Sequence, residues 1–171
     1  KQGISVPSYE NTRNHDLTKI WGCASGEVLR RIGLFYGSAD FAELSPTEHV
    51  VDAFASLFPP HTAHGITARP KEIEHVTSIF FARHFTNYGA VYHLGHDGKG
   101  ISVGKTKGEV ARDLGLDLFV EDAPHNVIDV ASHGIEVLLM SRPWNRNFEL
   151  PKGVTRVEDW REVVEYVRSK G

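Results

Sequence analysis

The spacing of apolar residues changes along the chain and divides it into helix-like and strand-like segments. Residues from Lys1 to His15 show no clear period and are predicted to form a loop. Between Leu17 and Tyr36 the apolar residues recur at helical spacing, with a break near Gly22. Further along, short apolar runs bounded by turn residues predict strands. These runs are Ala63–Thr67, Ala90–Leu94, Leu116–Val120 and Ile135–Met140.

A helix start is predicted at Ser45–Glu48, ahead of the first strand. The serine can cap a helix, Pro46 suits the first turn, and Glu48 three places on completes a capping box. The apolar face of this helix is predicted to contain Val50, Val51, Phe54 and Leu57, and Pro59-Pro60 is predicted to end it. Later helices are predicted over Lys71–His84, Thr106–Leu114, Pro124–His133 and Glu158–Val167.

The order of these elements predicts the fold class. Strands that alternate with helices form βαβ units, which place parallel strands in one sheet with helices on its faces. The runs Leu116–Val120 and Ile135–Met140 are almost wholly apolar, as expected for strands that are covered on both sides. We therefore predict an α/β fold, Rossmann-like, with a three-layer arrangement around a parallel sheet.

Composition narrows the classes of function. The chain has 171 residues, 40% of them hydrophobic and 24% charged, which fits one globular domain. Its net charge of −3 argues against a nucleic-acid partner, which would need a basic face. No run approaches the length of a membrane span, so no membrane association is predicted. Cys23 is the only cysteine, which excludes an intrachain disulfide and favours a reducing, cytoplasmic location.

Polar residues follow two of the predicted strands, where parallel sheets gather their ligands. Thr67, with Ala68 and Arg69, lies after one strand and before a helix, where a hydroxyl and backbone N–H groups can hold a phosphoryl oxygen. An ordinary helix cap is the simpler interpretation of a lone threonine. Glu121 and Asp122 follow the strand Leu116–Val120, and two carboxylates there suit Mg²⁺, although Asp122 could instead cap the next helix.

Two lysines lie at the start of the helix that is predicted from about Thr106, Lys107 within its first turn and Lys105 two residues earlier. Lys105 and Lys107 oppose the helix dipole, so a nearby anion would account for them, although each alone could be a solvated loop lysine. A set of histidines lies in loop or strand-end contexts without a cysteine or acidic partner that would complete a zinc pattern. We predict that these are solvated side chains: His61, His64, His93 and His96.

Several of these segments resemble, in order and spacing, the motifs of the haloacid dehalogenase superfamily, and within it the 5′-nucleotidase-like phosphatases. Ile66–Pro70 resembles the second motif, Lys107–Val110 the third and Phe119–Asp122 the fourth. The segment Leu17–Tyr36 resembles a small helical cap that covers the substrate. The resemblance continues through Arg142-Pro143-Trp144-Asn145-Arg146, Leu150-Pro151 and Val157-Glu158-Asp159-Trp160.

The resemblance implies a role for each candidate residue. Thr67, with Ala68 and Arg69, would hold the phosphoryl group of a small phosphorylated substrate, and Lys107 would neutralise its charge. Glu121 and Asp122 would bind Mg²⁺, the second acid directly or through water. The same resemblance divides the chain into a loop and cap-like segment over residues 1–45 and an α/β core like that of the superfamily over residues 46–171.

The first motif of the superfamily is missing from these 171 residues. That motif is an apolar strand ending in Asp-x-Asp, whose first aspartate attacks phosphorus, and no Asp-x-Asp occurs in the sequence. The core is therefore expected to be incomplete at its first strand. Mg²⁺ binding is expected to be weak or absent, and the chain alone is expected to be inactive. A missing amino-terminal segment and a homo-oligomer are both left open.

Three hypotheses of function follow. In the first, the chain is a truncated or processed phosphatase that needs a further amino-terminal segment. In the second, it is a natural pseudophosphatase that serves as a phosphate-, nucleotide- or protein-binding module. In the third, it is a flavodoxin-like domain in which Glu121 and Asp122 form only an acidic corner. The cap-like segment and the Arg142–Arg146 segment weigh against the third hypothesis.

Overall fold

The computed structural model describes residues 7–14, 16–86, 88–95 and 104–171. Within these ranges a helical amino-terminal part is followed by strands and helices that mostly alternate, although no helix separates the last two strands. The helices are α1 (Leu17–Trp21), α2 (Ser25–Tyr36), α3 (Ala39–Ala42), α4 (Val50–Leu57), α5 (Glu74–His84), α6 (Lys107–Asp113), α7 (Pro124–Ser132) and α8 (Trp160–Lys170). The strands are β1 (Ala63–Thr67), β2 (Tyr88–His93), β3 (Leu118–Glu121), β4 (Glu136–Met140) and β5 (Val154–Val157).

All described strand pairings are parallel, which confirms the predicted α/β class. β1 pairs with β2, and β3, β4 and β5 form a second sheet in that order. In the second sheet Phe119 lies opposite Val137, and Val137 lies opposite Val154. No backbone ladder joins β1 to β3 within the described ranges, so the strands form two parallel sheets rather than the continuous sheet that was expected.

The second sheet contains the best-packed part of the molecule. Val137, Leu138 and Leu139 on β4 are completely buried, because β4 has a neighbouring strand on each side and helices over both faces. Val127 and Val130 on α7 are also completely buried and pack in the same cluster as Val137. The near-continuous apolar run in this strand follows from burial on both faces, as predicted.

Strand β5 was not predicted from the sequence. It has four residues, Val154–Val157, of which only Val157 is fully buried. Its sequence, Val-Thr-Arg-Val, is short and does not alternate between apolar and polar residues, so it shows no period of two. The strand is held in place by its ladder with β4, in which Val157 lies opposite Met140.

The predicted start of the helix at Ser45–Glu48 is wrong. Helix α4 begins at Val50, and the residue before it, His49, has a left-handed backbone with φ of 63°. A continuous right-handed helix cannot include that conformation, so Ser45–Glu48 remain outside the helix. The buried face is also shifted, because Val50, Ala53 and Leu57 are buried whereas Val51 is 41% exposed.

The amino-terminal helices agree with the predicted break near Gly22. Asp16 caps α1 by accepting a hydrogen bond from the backbone N–H of Thr18, and Gly22 ends the helix with φ of 60°. Glycine adopts this left-handed conformation without the strain that a side chain adds. Val28 on α2 is completely buried. None of the helices in the described ranges is long and apolar enough to cross a membrane.

Helices α6 and α7 pack closely at Gly108. A Cβ atom at this position would lie 2.5 Å from Nδ1 of His133 and 2.9 Å from the backbone oxygen of Asp129. The backbone N–H of Gly108 also donates a hydrogen bond of 2.7 Å to the Asp129 carboxylate. Only glycine therefore permits this approach of the two helices.

We predict that Gly108→Ala lowers the free energy of unfolding by about 1–3 kcal/mol, because the added methyl group forces the backbone of α7 away from α6. Urea denaturation measures this change. The matched control is Gly33→Ala on α2, where an added Cβ meets no atom of the described chain within 4 Å. That variant should gain up to about 1 kcal/mol from helix propensity. Equal effects of the two substitutions would contradict the close approach.

Candidate functional site

The backbone around Lys107 is fixed by the start of α6. Thr106 caps the helix by accepting a hydrogen bond from the N–H of Glu109 at 3.2 Å, and the Glu109 carboxylate accepts one from the N–H of Thr106 at 2.8 Å. Asp129 on α7 accepts hydrogen bonds from the Thr106 hydroxyl and the Gly108 N–H at 3.0 and 2.7 Å. This network positions Lys107 as the first residue of the helix.

Lys107 forms a buried ion pair with Glu121 at the end of β3. The Lys107 Nζ lies 2.6 Å from Oε2 of Glu121, and the two side chains are 13% and 5% exposed. The other oxygen of Glu121 accepts hydrogen bonds from the backbone N–H groups of Asp122 and Ala123 at 2.9 and 3.1 Å. Glu121 therefore ties the third predicted motif to the start of α7.

Each of the two lysines at the start of α6 is paired with a carboxylate of the chain itself. Lys107 has Glu121, and Lys105 has Asp113 at 2.7 Å, in an exposed pair near the other end of the helix. Both compensating charges belong to the chain itself. The loop-lysine interpretation fits Lys105, whereas Lys107 is held inside the protein.

Asp122 and Glu121 have opposite pKa shifts. Burial raises the pKa of Asp122 to about 7, together with the charge of Glu121 and a side-chain hydrogen bond with it, while Lys107 and Arg142 oppose the rise. Burial also raises the pKa of Glu121, but the Lys107 ammonium and hydrogen bonds from Asp122 and Lys107 outweigh it and hold the pKa below its usual value. Adjacent acids with separated pKa values are typical of functional clefts.

Asn145 supports the backbone at Asp122, and this role was not predicted. Asn145 is 1% exposed, and its Nδ2 donates to the backbone oxygens of Asp122 and Met140 at 2.8 and 2.9 Å. Its Oδ1 accepts from the N–H of Arg142 and from Nη1 of Arg156 at 3.0 and 2.9 Å. Both donor hydrogens and both acceptor positions of the Asn145 amide are therefore used to hold the surrounding backbone and Arg156 in place. The sequence signal was the segment Arg142–Arg146, which was recognised without a role for Asn145.

Trp144 adds a second contact to the same backbone oxygen. Its indole Nε1 donates to the Asp122 carbonyl at 3.1 Å. The Trp144 ring also meets Tyr9 edge-on, with 5.8 Å between ring centroids. Residues of the amino-terminal part thus pack beside the segment that positions Asp122.

On the other sheet, Thr67 is the last residue of β1 and its hydroxyl accepts a hydrogen bond from the N–H of Arg69 at 3.2 Å. This contact supports the turn after β1, but the helix-cap interpretation of Thr67 is wrong, because the residue before the following 3₁₀ turn, Lys71–Ile73, is Pro70. The Arg69 guanidinium lies 4.9 Å from the centroid of the Phe41 ring, and its Nη1 donates to the hydroxyl of Thr77 at 3.5 Å. Burial lowers the pKa of Arg69, and the nearby Tyr36 opposes that change.

One cavity of about 1160 Å³ collects several of the predicted site residues. Thr67, Arg69, Lys107 and Glu121 all line it. Asp122 is next to Glu121 in the chain but is not among the lining residues. The structure thus brings the second and third motifs and half of the fourth to the same space.

The histidines that were predicted to be solvated differ among themselves. His61 is exposed, as predicted, but His64 lies within β1 and accepts a hydrogen bond of 3.3 Å from the N–H of Ala90. His93 ends β2, and its Nδ1 lies 3.1 Å from the backbone oxygen of Pro70. The prediction is therefore wrong for His64 and His93, which are half-buried structural side chains, and His96 lies outside the described residues.

Glu121 and Asp122 differ in how well their carboxylates fit the requirements of Mg²⁺. Among the described residues no group of three or more His, Cys, Asp and Glu side chains is close enough to hold a metal ion. Glu121 already uses both oxygens for hydrogen bonds and the Lys107 ion pair. Asp122 fits better, because a buried carboxylate with a raised pKa gains most from a nearby cation.

Two sequence relatives match nearly all of this chain and 76–79% of their own length. No family model matches the chain. It is 25% identical over 167 residues to “Putative nucleotidase YqfW” of Bacillus subtilis, covering 95% of this chain and 79% of that protein. It is 26% identical over 160 residues to BH1399 of Halalkalibacterium halodurans, which has the same designation, covering 92% and 76%.

A solved structure resembles the fold of this chain. D,D-heptose 1.7-bisphosphate phosphatase from B. bronchiseptica, determined in complex with magnesium and phosphate, matches with a TM-score of 0.53 at 16% identity. The match covers 72% of this chain and 84% of that one. The predicted haloacid dehalogenase-like fold is therefore confirmed, and both sequence relatives bear the designation of a nucleotidase.

The raised pKa of Asp122 predicts a specific pH dependence of stability. In the folded chain the pKa of Asp122 is about 7, whereas the ordinary pKa of an aspartate is 3.8. The free energy of unfolding therefore falls as the pH rises from 3.8 to about 7. Asp122→Asn removes that loss. We therefore expect the difference in melting temperature between Asp122→Asn and the parent chain to shift in favour of the variant between about pH 5 and about pH 8, as measured by thermal denaturation.

The control is Glu121→Gln, which leaves the buried Lys107 ammonium without its carboxylate. This variant should be destabilised at both pH values, by roughly 3–5 kcal/mol. A difference between Asp122→Asn and the parent that did not change with pH would contradict the raised pKa of Asp122.

Proposed function

Because the chain has the fold of haloacid dehalogenase-like phosphatases, we propose that it carries the phosphate- and Mg²⁺-binding part of a nucleotidase-type phosphomonoester hydrolase site. The observation that carries this proposal is the common cavity of Thr67, Lys107 and Glu121. These residues come from three separate motifs and from both sheets. The nucleotidase designation of two relatives favours a small phosphorylated molecule, such as a nucleotide, as the ligand.

Each residue has a distinct role in the proposed site. The Thr67 hydroxyl donates a hydrogen bond to a phosphoryl oxygen while it continues to accept one from the N–H of Arg69. The Lys107 ammonium neutralises phosphate charge, and Glu121 fixes the position of that ammonium. Lys107 has three donor hydrogens, so the pair with Glu121 leaves donors for the phosphate.

Asp122 is the proposed ligand of Mg²⁺, held in place by the contacts of Asn145 and Trp144 to its backbone. When bound, the ion supplies positive charge that polarises a phosphoryl oxygen. We propose that the affinity is low, because Mg²⁺ requires a nearly complete octahedron of oxygens and Glu121 is already engaged. Glu121 then acts on the metal only through its effect on Asp122.

We propose that the chain binds phosphate but does not hydrolyse phosphate esters rapidly. Its 171 residues contain no Asp-x-Asp, and Glu121 cannot attack phosphorus while it accepts three hydrogen bonds. Asp117 and Glu136 also line the cavity, but they lie at the beginnings of β3 and β4, away from Glu121 at the end of β3. This favours either a phosphatase part that requires a further segment or a pseudophosphatase that serves as a phosphate-binding module.

We expect the 171-residue chain to release no phosphate from nucleoside monophosphates or an aryl phosphate at an enzymatic rate, with Mg²⁺ present. Without a nucleophile the covalent route is lost, and uncatalysed phosphate ester hydrolysis is extremely slow. Phosphate release measures this directly. Turnover of about 1 s⁻¹ or more that disappeared in Asp122→Asn would contradict the proposal and indicate another attacking group.

Binding of inorganic phosphate tests the site separately from turnover. Thr67→Val should weaken binding by roughly tenfold or more, because a hydrogen bond to a charged group is lost, whereas Thr67→Ser should retain it. Calorimetry or chemical-shift titration gives the affinities. Lys105→Met is the control for general electrostatics, because Lys105 is exposed and paired with Asp113. A loss of affinity in Lys105→Met equal to that in Thr67→Val would instead indicate nonspecific attraction.

A further inference from the structure

The lysine and arginine side chains that line the cavity of the candidate site differ in whether the chain supplies their counter-charge. Lys107 pairs with Glu121 at 2.6 Å, and Lys170 pairs with Glu136 at 3.1 Å. Arg69 also lines the cavity, but it has no carboxylate within ion-pair distance in the described part of the chain. Burial of a charge without a partner is unfavourable. Arg69 is therefore the cation of this cavity whose counter-charge is left for a ligand to supply.

The guanidinium of Arg69 is held in place by neutral groups. Its central carbon lies 4.9 Å from the centroid of the Phe41 ring, which is itself buried. Its Nη1 donates to the Thr77 hydroxyl at 3.5 Å, and that hydroxyl donates to the backbone oxygen of Ile73 at 3.2 Å. A guanidinium has five N–H donors, and Thr77 is the only hydrogen-bond acceptor for them among the described residues. The position of Arg69 is thus fixed while most of its donors are available to an anion.

The hydroxyl of Tyr36, the last residue of α2, adds a second donor beside Arg69. The Tyr36 ring lies 5.0 Å from the Phe41 ring, so Phe41 contacts both residues. Burial raises the pKa of Tyr36, and the charge of Arg69 opposes that rise, as expected for groups that are close in space. No acceptor for the Tyr36 hydroxyl lies within hydrogen-bonding distance among the described residues. An oxyanion at this place would accept hydrogens from both side chains.

The Arg69 guanidinium and the Lys107 ammonium are held by different elements. Lys107 begins α6 and is tied to the end of β3 by its ion pair. The Arg69 guanidinium is tied instead to α3 through Phe41 and to α5 through Thr77. An anion bound by Arg69 is therefore a different group from the phosphoryl group assigned to Thr67 and Lys107. Because these residues line one cavity, a single ligand can carry both groups.

We propose that Arg69 and Tyr36 form a subsite for a second oxyanion, so that the preferred ligand is a phosphomonoester with an additional phosphoryl or carboxylate group. This inference rests on the proposed phosphate site and names the class of molecule that the site takes. Phosphoryl and carboxylate groups both present two oxygens to a guanidinium in a bidentate contact. A phosphomonoester without a second anionic group leaves Arg69 uncompensated and is the weaker ligand.

The test uses the 171-residue chain and two pairs of ligands that differ in the second anion, compared by calorimetry at one ionic strength. Glycerol 3-phosphate and 3-phosphoglycerate differ by a carboxylate. Adenosine 5′-monophosphate and adenosine 3′,5′-bisphosphate differ by a phosphoryl group. We expect the second anion to increase the affinity by about tenfold or more in at least one pair, and that pair identifies the preferred group. Equal affinities within both pairs would overturn the proposal.

Matched protein variants assign the increase in affinity to this subsite. Arg69→Gln should remove the increase while it changes the affinity for glycerol 3-phosphate by less than about twofold, and Tyr36→Phe should reduce the increase. Lys170→Gln is the control, because it removes one positive charge from the same cavity but from a residue that is already paired. If Arg69→Gln does not fold, the ligand pairs on the parent chain decide the question.

Two further outcomes separate this inference from the proposed function. Equal weakening of all four ligands by Arg69→Gln would show that Arg69 holds the phosphoryl group itself. That result would overturn the second subsite and leave the proposed phosphate site intact. Failure of all four ligands to bind the parent chain would contradict the proposed phosphate site and this inference with it.

Discussion

The buried ion pair between Lys107 and Glu121 is the interaction on which the candidate site depends. It joins the first residue of α6 to the last residue of β3, two elements that a capping network and a strand ladder position independently. A charge pair this deeply buried costs desolvation free energy and is tolerated only when its remaining hydrogen-bonding positions are filled. The backbone N–H groups of Asp122 and Ala123 fill them on Glu121. The same contacts bring Asp122 into the region where its pKa rises.

Much of the fold was predictable because local signals and tertiary packing agree. The strand Ala63–Thr67 was predicted with its observed bounds, and α6 begins where Thr106 and Glu109 form a capping box. The failures have local causes. At α4 a left-handed His49 overrides an equally good capping pattern, and no composition rule predicts that backbone conformation for histidine. Strand β5 is too short to show a period and depends on β4 for its position.

The sequence allowed several residues of the candidate site to be predicted, but not which of them contact one another. Parallel strands bring their carboxyl ends to one edge, so residues that follow strands, such as Thr67 and Glu121, could be chosen from the sequence. Which acid pairs with Lys107 depends on side-chain geometry. So does the role of Asn145, since a buried asparagine that contacts four partners is indistinguishable in sequence from a solvated one. The resemblance assigned both Glu121 and Asp122 to Mg²⁺, whereas the structure gives the two carboxylates different environments.

Packing fixes the two parts of the candidate site to different degrees. Glu121 and Asp122 lie at the end of β3, and Lys107 on α6 is paired with Glu121. Because β3 adjoins β4, whose Val137, Leu138 and Leu139 are completely buried, packing fixes the positions of this part of the site. Thr67 ends a strand whose residues are all half-buried and which is bonded on one edge only. A phosphate ion that contacts both Thr67 and Lys107 must therefore bridge two sheets that no backbone ladder connects within the described residues. Affinity for phosphate then depends on what fixes the distance between the sheets, because ordering a mobile partner consumes part of the binding free energy. The packing between the sheets is thus as much a determinant of the site as the charges within it.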